Sequence, residues 1–229
     1  TRDDVYRFGW GGGEIDSVQL DILVGLYDSE LSYTDAQIGR LISGLRSRNG
    51  LDNTVFLVLG THGEELMDHG RFGHGHSLYQ ELLHVPLVIS GTGIEPAEYG
   101  SVAAQYDILP TVLTMIGQEL PIWVDGHDLF SLDRLPEARY VTSSNLLWAE
   151  FDLAAVRLND RVIVGNPQEM NPVLYDLGQD PGQTNPIAPG REASDQLFYY
   201  WSLPPRGNPA AVDLGLHTEE ILKNLEYFR

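Results

Sequence analysis

Asn53–Ile89 reads NTVFLVLGTHGEELMDHGRFGHGHSLYQELLHVPLVI. An apolar run, Val55–Leu59, breaks at Gly60, and a second, Val85–Ile89, closes the segment. Between them stand five of the chain's seven histidines: His62, His69, His74, His76 and His84. Glu64, Glu65 and Asp68 are interleaved with them. Polar, ligand-type side chains just past the carboxyl end of a buried strand are where open α/β sheets place their chemistry. The segment therefore predicts a strand, a site and a second strand, in that order.

Upstream, Val18, Ile22, Leu23, Leu26, Tyr27 and Leu31 recur at three- and four-residue steps, and Ile38, Leu41, Ile42 and Leu45 resume them. This spacing predicts a long amphipathic helix capped by Asp16 or Ser17 and ended by Gly50, with a break near Ser32–Thr34. It is expected to pack on one face of a sheet. Residues 20–117 should form a partial, parallel-type core sheet flanked by helices, with His62 at a strand's carboxyl end.

Downstream, Asp107–Pro110 reads as a capping acid followed by a proline in the first helical turn, and Gly117 as the stop. Leu153–Leu158 and Arg161–Val164 flank Asn159–Asp160, a hairpin signal. Val173–Leu177 reads as a further strand and Leu214–Tyr227 as a terminal helix. The expected class is α/β with a small antiparallel α+β subdomain at the C-terminal side. Residues 1–135 would form the first unit and 136–229 the second.

The net charge of −19 and pI near 4.5 argue against nucleic acid and against anionic membrane surfaces as partners. No apolar run approaches the roughly 20 residues that a membrane helix requires. Cysteine is absent, so disulfides, thiolate metal sites and cysteine nucleophiles are excluded. Lys223 is the only lysine. An acid-rich, lysine-poor surface is suited to high salt, and the expected setting is the cytoplasm of a salt-adapted organism.

Four segments in order carry a family resemblance. Residues 27–66, YDSELSYTDAQIGRLISGLRSRNGLDNTVFLVLGTHGEEL, are similar to the region of sulfatases where a long helix leads into a metal-binding strand. Residues 69–89, HGRFGHGHSLYQELLHVPLVI, resemble the segment that supplies a sulfate-contacting basic residue. Residues 106–117, YDILPTVLTMIG, resemble the family's next helix, and residues 158–188 its C-terminal hairpin and Leu-Tyr-Asp-Leu strand.

The resemblance implies a partial alkaline-phosphatase-like core and the hydrolysis of sulfate esters at a calcium site, with a formylglycine nucleophile made from a C/S-x-P-x-R motif. It places Thr61 and His62 at the metal. It makes His74, with His76 as its alternate, the residue contacting the anionic group. His69 and His84 are read as structural, and Glu64–Glu65 as a helix-start pair favoured by the macrodipole.

Two departures follow. Thr61 stands where the family has Asp, so calcium should bind weakly or not at all. The nucleophile and the first metal acids belong to an N-terminal half without counterpart here: Ser202–Arg206 fits S-x-P-x-R but lacks the Leu-Thr-Gly that follows in the family. Asp3–Asp4 lacks the strand that precedes the family's first acids.

The chain is thus expected to be a C-terminal portion, inactive alone. In the parent protein it would serve a sulfated small molecule or glycan, with the missing half or a second copy as partner. A phosphoglycerol transferase or phosphodiesterase of the same superfamily, or a non-catalytic binding domain, are the alternatives.

The charge generates a prediction of its own. Screening relieves self-repulsion among 33 acids against 14 basic residues. The thermal midpoint should therefore rise between low and molar salt, and an unchanged or lower midpoint would contradict salt adaptation.

Overall fold

The computed structural model describes residues 15–98, 100–122, 124–134, 140–145, 153–166, 171–191, 194, 195 and 199. The chain opens with helix α1, Ser17–Arg46. Asp16 caps it in a reciprocal box: its carboxylate accepts the Gln19 amide at 2.8 Å, and Gln19 Oε1 accepts the Asp16 amide at 3.1 Å. The break expected near Ser32–Thr34 is not there. Ser29 and Ser32 turn their hydroxyls back onto the carbonyls of Leu26 and Asp28, which keeps these poor helix formers inside the helix. Gly50 does close the end, donating its amide to the Leu45 carbonyl at 2.9 Å. The expected packing against a sheet is not met among the described residues. No α1 residue is buried, and Val18, Ile22, Leu26, Leu31 and Leu41 form an exposed apolar stripe.

Strands β1, Val55–Leu59, and β4, Leu87–Gly91, form a pair, with the short hairpin β2, Glu65–Leu66, and β3, Phe72–Gly73, between them in sequence. Both pairings are antiparallel, which overturns the parallel-type sheet expected for residues 20–117. The reason is the connection. A parallel crossover needs a helix running back across the sheet. The only helix between β1 and β4 is the single turn α2, Gln80–Leu83. Leu59 pairs with Leu87, and the Gly60 amide extends the ladder to the Pro86 carbonyl at 3.0 Å. Residues 60–86 are therefore one long excursion clamped at its base, and it carries the histidines.

Helix α3, Ile108–Met115, follows a 3-10 turn at Gln105–Asp107 and stops at Gly117, whose φ is +71°. Asp107 precedes it as expected, but its carboxylate does not cap the helix. It is fully buried and accepts the amides of Ala104 at 2.7 Å and His127 at 2.9 Å. Thr111 continues the link, donating to the Asp107 carbonyl and accepting the Leu129 amide. These bonds tie α3 to the Leu129–Arg134 turn.

The remaining strands, β5 Tyr140–Asn145, β6 Leu153–Leu158, β7 Arg161–Gly165 and β8 Val173–Asp176, make an antiparallel sheet in sequential order. The expected hairpin is borne out: Leu158 faces Arg161 and Ala155 faces Val164 across the turn, where Asn159 has φ +53°. One face of the sheet (Ala155, Val162, Val164, Tyr175) packs on Leu78 of the excursion, with Tyr79 and Leu83 beside it. The other face holds Ala154, Val156 and Ile163. The predicted helix at Leu214–Tyr227 lies outside the described residues, as do Asp3–Asp4 and Ser202–Arg206. Mixed α/β architecture is the class expected.

A buried carboxylate holds the excursion in shape. Glu65 is fully buried. Its Oε1 accepts the amides of His69 at 3.2 Å and Arg71 at 2.9 Å; its Oε2 accepts His76 Nε2 at 2.8 Å and the Ser77 hydroxyl at 3.4 Å. A second group docks beside it. His69 stacks on Tyr79 with ring centroids 3.6 Å apart, and its Nδ1 lies 2.6 Å from Glu81 Oε1. Its Nε2 meets the Gln183 carbonyl at 3.3 Å. Burial pulls the His69 pKa down, but the Glu81 hydrogen bond and charge, with the Gln183 carbonyl and the Glu65 charge, raise it on balance. Both ring nitrogens face groups that only accept, so the doubly protonated ring satisfies both. Gln183 completes the junction: its Oε1 accepts the Gln80 amide at 2.8 Å. Its own Nε2 is buried without a partner among the described residues.

Two expectations follow. Glu65→Ala strands four donors in the interior and should cost about 3–5 kcal/mol, read by urea unfolding; a loss below about 1 kcal/mol would remove Glu65 from this role. For His69 the folded pKa is raised, so its contribution is complete below the unfolded value and is lost as pH rises through the folded value. Glu81→Gln should therefore destabilise by about 1 kcal/mol more at pH 6 than at pH 9. Equal losses at both pH values would show that the pair's charge contributes nothing.

Candidate functional site

The site begins where β1 ends. Thr61 and His62 follow Gly60 beyond the strand's carboxyl end, as the sequence predicts, and both are exposed. Gln105 fixes the backbone there, donating its side-chain amide to the carbonyls of Gly60 at 3.0 Å and Thr61 at 2.6 Å. Gly63 presses against α2: its amide donates to the Leu82 carbonyl at 2.8 Å. A Cβ at this position would lie 1.8 Å from the Glu81 carbonyl oxygen, so only glycine allows the approach. His62 Nδ1 lies 2.9 Å from the Gly63 carbonyl. The carbonyl can only accept, so Nδ1 carries the proton and Nε2 is left for other partners.

His74 reaches the same place from the far side of the excursion. It sits between Gly73 and Gly75, whose φ values of +102° and +88° fold the backbone sharply on both sides. Its ring lies 4.0 Å from that of His62, centroid to centroid, with the planes 31° apart. Its Nδ1 is 2.9 Å from Glu64 Oε2. That hydrogen bond raises the His74 pKa, partial burial opposes the shift, and the Glu64 charge adds to it. His62, Glu64 and His74 each offer one donor atom, and these atoms lie within 4.8 Å of one another.

His76, the alternate of His74 in the sequence reading, lies elsewhere. Its side chain is 3% exposed and its Nε2 is bonded to Glu65. The Glu64–Glu65 pair does not start a helix, contrary to expectation. Glu65 opens β2, so the macrodipole has no part in placing either carboxylate. His69 is structural, as expected, and His127 is exposed. His84 is exposed at the C-terminal cap of α2.

Thr61, His62 and His74 line a cavity of about 770 Å³, together with Ser77, Gln105 and Arg157. Arg157 was not foreseen. It extends from β6, held by the Gln80 side-chain oxygen at 2.9 Å and the Asn159 carbonyl at 2.9 Å, and burial lowers its pKa. Its position in a hairpin strand eighty residues downstream carries no motif; only the packing of the second sheet on Leu78 brings it to the cavity.

The donors at the cavity mouth do not suit calcium. Calcium takes six to eight oxygen ligands. The described cluster has one carboxylate, Glu64, and two imidazoles, with a neutral hydroxyl at Thr61. By themselves, these described residues give a hard cation too little negative oxygen.

The comparisons agree with this architecture. Residues 16–118 match the family model described as Sulfatase. Arylsulfatase K of Canis lupus familiaris is 30% identical over 142 residues, covering 62% of this chain and 24% of the relative. Arylsulfatase K of Bos taurus is 28% identical over 190 residues, covering 77% of this chain and 35% of the relative. The chain thus spans a quarter to a third of the length of these curated relatives.

Among solved structures, a 2-O GAG sulfatase superposes with a TM-score of 0.69 at 18% identity, over 96% of this chain and 46% of that one. A phosphonate monoester hydrolase from Silicibacter pomeroyi gives 0.67 at 23%, over 96% and 44%. The match to the sulfatase family model thus covers just under half of the chain, and over most of its length the chain shares the fold of solved sulfatases.

Proposed function

We propose that this chain is the anion-binding and leaving-group side of a sulfate monoester hydrolase, and that it does not turn over substrate unaided. The observation that supports this best is His74, held by Glu64 beside His62 at the mouth of the cavity. A tetrahedral sulfate ester needs donors converging on its oxygens. His74 uses Nδ1 on Glu64, which fixes the ring and leaves Nε2 to contact the anionic group. His62 and Thr61 face the same space, and Ser77 and Arg157 supply further donors from the cavity wall. His76 acts as a positioning residue: through Glu65 it fixes the loop from which His74 projects.

Sulfuryl transfer also needs a nucleophile. Ser202 lies in a context unlike the family's, and the chain spans a minor part of its relatives. The nucleophile would therefore come from a segment equivalent to the family's N-terminal half, carried in the same protein or by a partner. The substrate would be a sulfated small molecule or glycan. Phosphoryl or phosphonyl transfer is a second reading, favoured by the likeness to the phosphonate monoester hydrolase. The same donors would serve a phosphonate monoester. Thr61 in place of Asp also fits a domain that binds sulfate esters without hydrolysing them.

An aryl sulfate ester provides the test, titrated into the purified chain in the presence of chelator. His74→Ala should weaken binding about 10-fold, or about 1.4 kcal/mol. His127→Ala, exposed and remote in sequence from the excursion, should leave binding unchanged. Binding indifferent to His74 would overturn its assignment. No turnover should appear in the original chain or in Thr61→Asp, since restoring one carboxylate supplies no nucleophile. Turnover abolished by Ser202→Ala would overturn the assignment of the nucleophile to another segment.

A further inference from the structure

The cavity mouth gathers two imidazoles beside one carboxylate. We propose that His62, Glu64 and His74 form a binding site for a divalent transition metal of the zinc type, with an open coordination position toward the cavity. The inference rests on the location of the anion site proposed above but not on the role given there to His74. Two imidazoles and one carboxylate are a donor set for zinc, cobalt or nickel; they are a poor one for calcium or magnesium.

The three donor atoms already lie within 4.8 Å of one another. A tetrahedral ion at 2.0–2.2 Å from each needs them about 3–3.6 Å apart, so closure takes shifts of about 1 Å. The His74 side chain, 51% exposed, has room to make them, against a Glu64 that is 19% exposed. The backbone beneath is not free. Gln105 pins residues 60 and 61, Gly63 is wedged on α2, and Glu65 is locked by four donors. His62 Nδ1 is occupied by the Gly63 carbonyl, which orients Nε2 as the ligand nitrogen in the manner of zinc sites.

A second His–carboxylate group among the described residues serves as contrast. Glu65, His69 and Glu81 also bring donor atoms together. There Glu65 already accepts four donors, and His69 uses both ring nitrogens on Glu81 and Gln183. Metal binding would have to break those bonds. At the cavity mouth it breaks only the exposed His74–Glu64 contact.

The chelator-treated full chain, titrated calorimetrically with zinc and separately with calcium, tests this. Zinc should bind at one site at least about 10-fold tighter than calcium. His62→Ala and His74→Ala should each weaken zinc about 10- to 100-fold. Glu81→Gln should not, provided its melt shows a folded chain. Cobalt gives an independent readout, as visible absorption bands in the original chain that are absent from the His62→Ala/His74→Ala double variant. Zinc affinity unchanged in that double variant, or calcium bound more tightly than zinc, would overturn the proposal. Aryl sulfate binding in chelator with no zinc site would sink the metal and spare the anion site. A zinc site with no ester binding, with or without metal, would do the reverse.

Discussion

The arrangement at the cavity depends on the buried carboxylate of Glu65. A charge taken from water is costly unless its oxygens are filled. Here the four donors come from residues 69 to 77 of the same excursion. Satisfying Glu65 therefore prescribes the path of the loop: the hairpin turn must bring two amides inward, and His76 must bury its ring. Once His76 is inward, Gly75 and Gly73 turn the backbone so that His74, two residues away, meets Glu64 and His62. The exposed histidine is placed by the buried one.

The same interaction separates two adjacent glutamates. Glu65, the first residue of β2, turns into the interior, while Glu64, just before the strand, stays partly exposed beside His74. One carboxylate is consumed by structure and the other is available for chemistry. Chemical identity does not distinguish them. Their positions relative to Gly63, which anchors the strand's approach to α2, do.

This explains what was legible in the sequence. Periodicity exposed α1, both long strands of the first sheet and the Asn159–Asp160 hairpin, because each is a local pattern. The glycine at position 60 and the histidines after it marked the site. Strand direction was not legible. Two apolar runs separated by 25 residues are compatible with a crossover or with an excursion, and the difference lies in whether the intervening chain can form a crossing helix. The gly-rich stretch cannot, so the strands pair antiparallel. Nor could spacing rank His74 above His76, since which is buried is decided by the distant Glu65. Arg157 and Gln105 reach the cavity only through tertiary packing and carry no local signal.

The substitution at residue 61 has a consequence that extends past one ligand. An oxygen-rich calcium cage concentrates carboxylates, which a cation must neutralise. With threonine at 61, the mouth of the cavity holds a single carboxylate, and that one is hydrogen-bonded to a histidine whose pKa it raises. An anion approaching a chain of net charge −19 from solvent is repelled overall. At the cavity it meets imidazoles and the guanidinium of Arg157. Removing a carboxylate therefore weakens a hard-cation site and, by the same step, lowers the electrostatic barrier to an anionic ester. The two effects cannot be separated by sequence position, because both follow from the charge of one side chain at the end of β1.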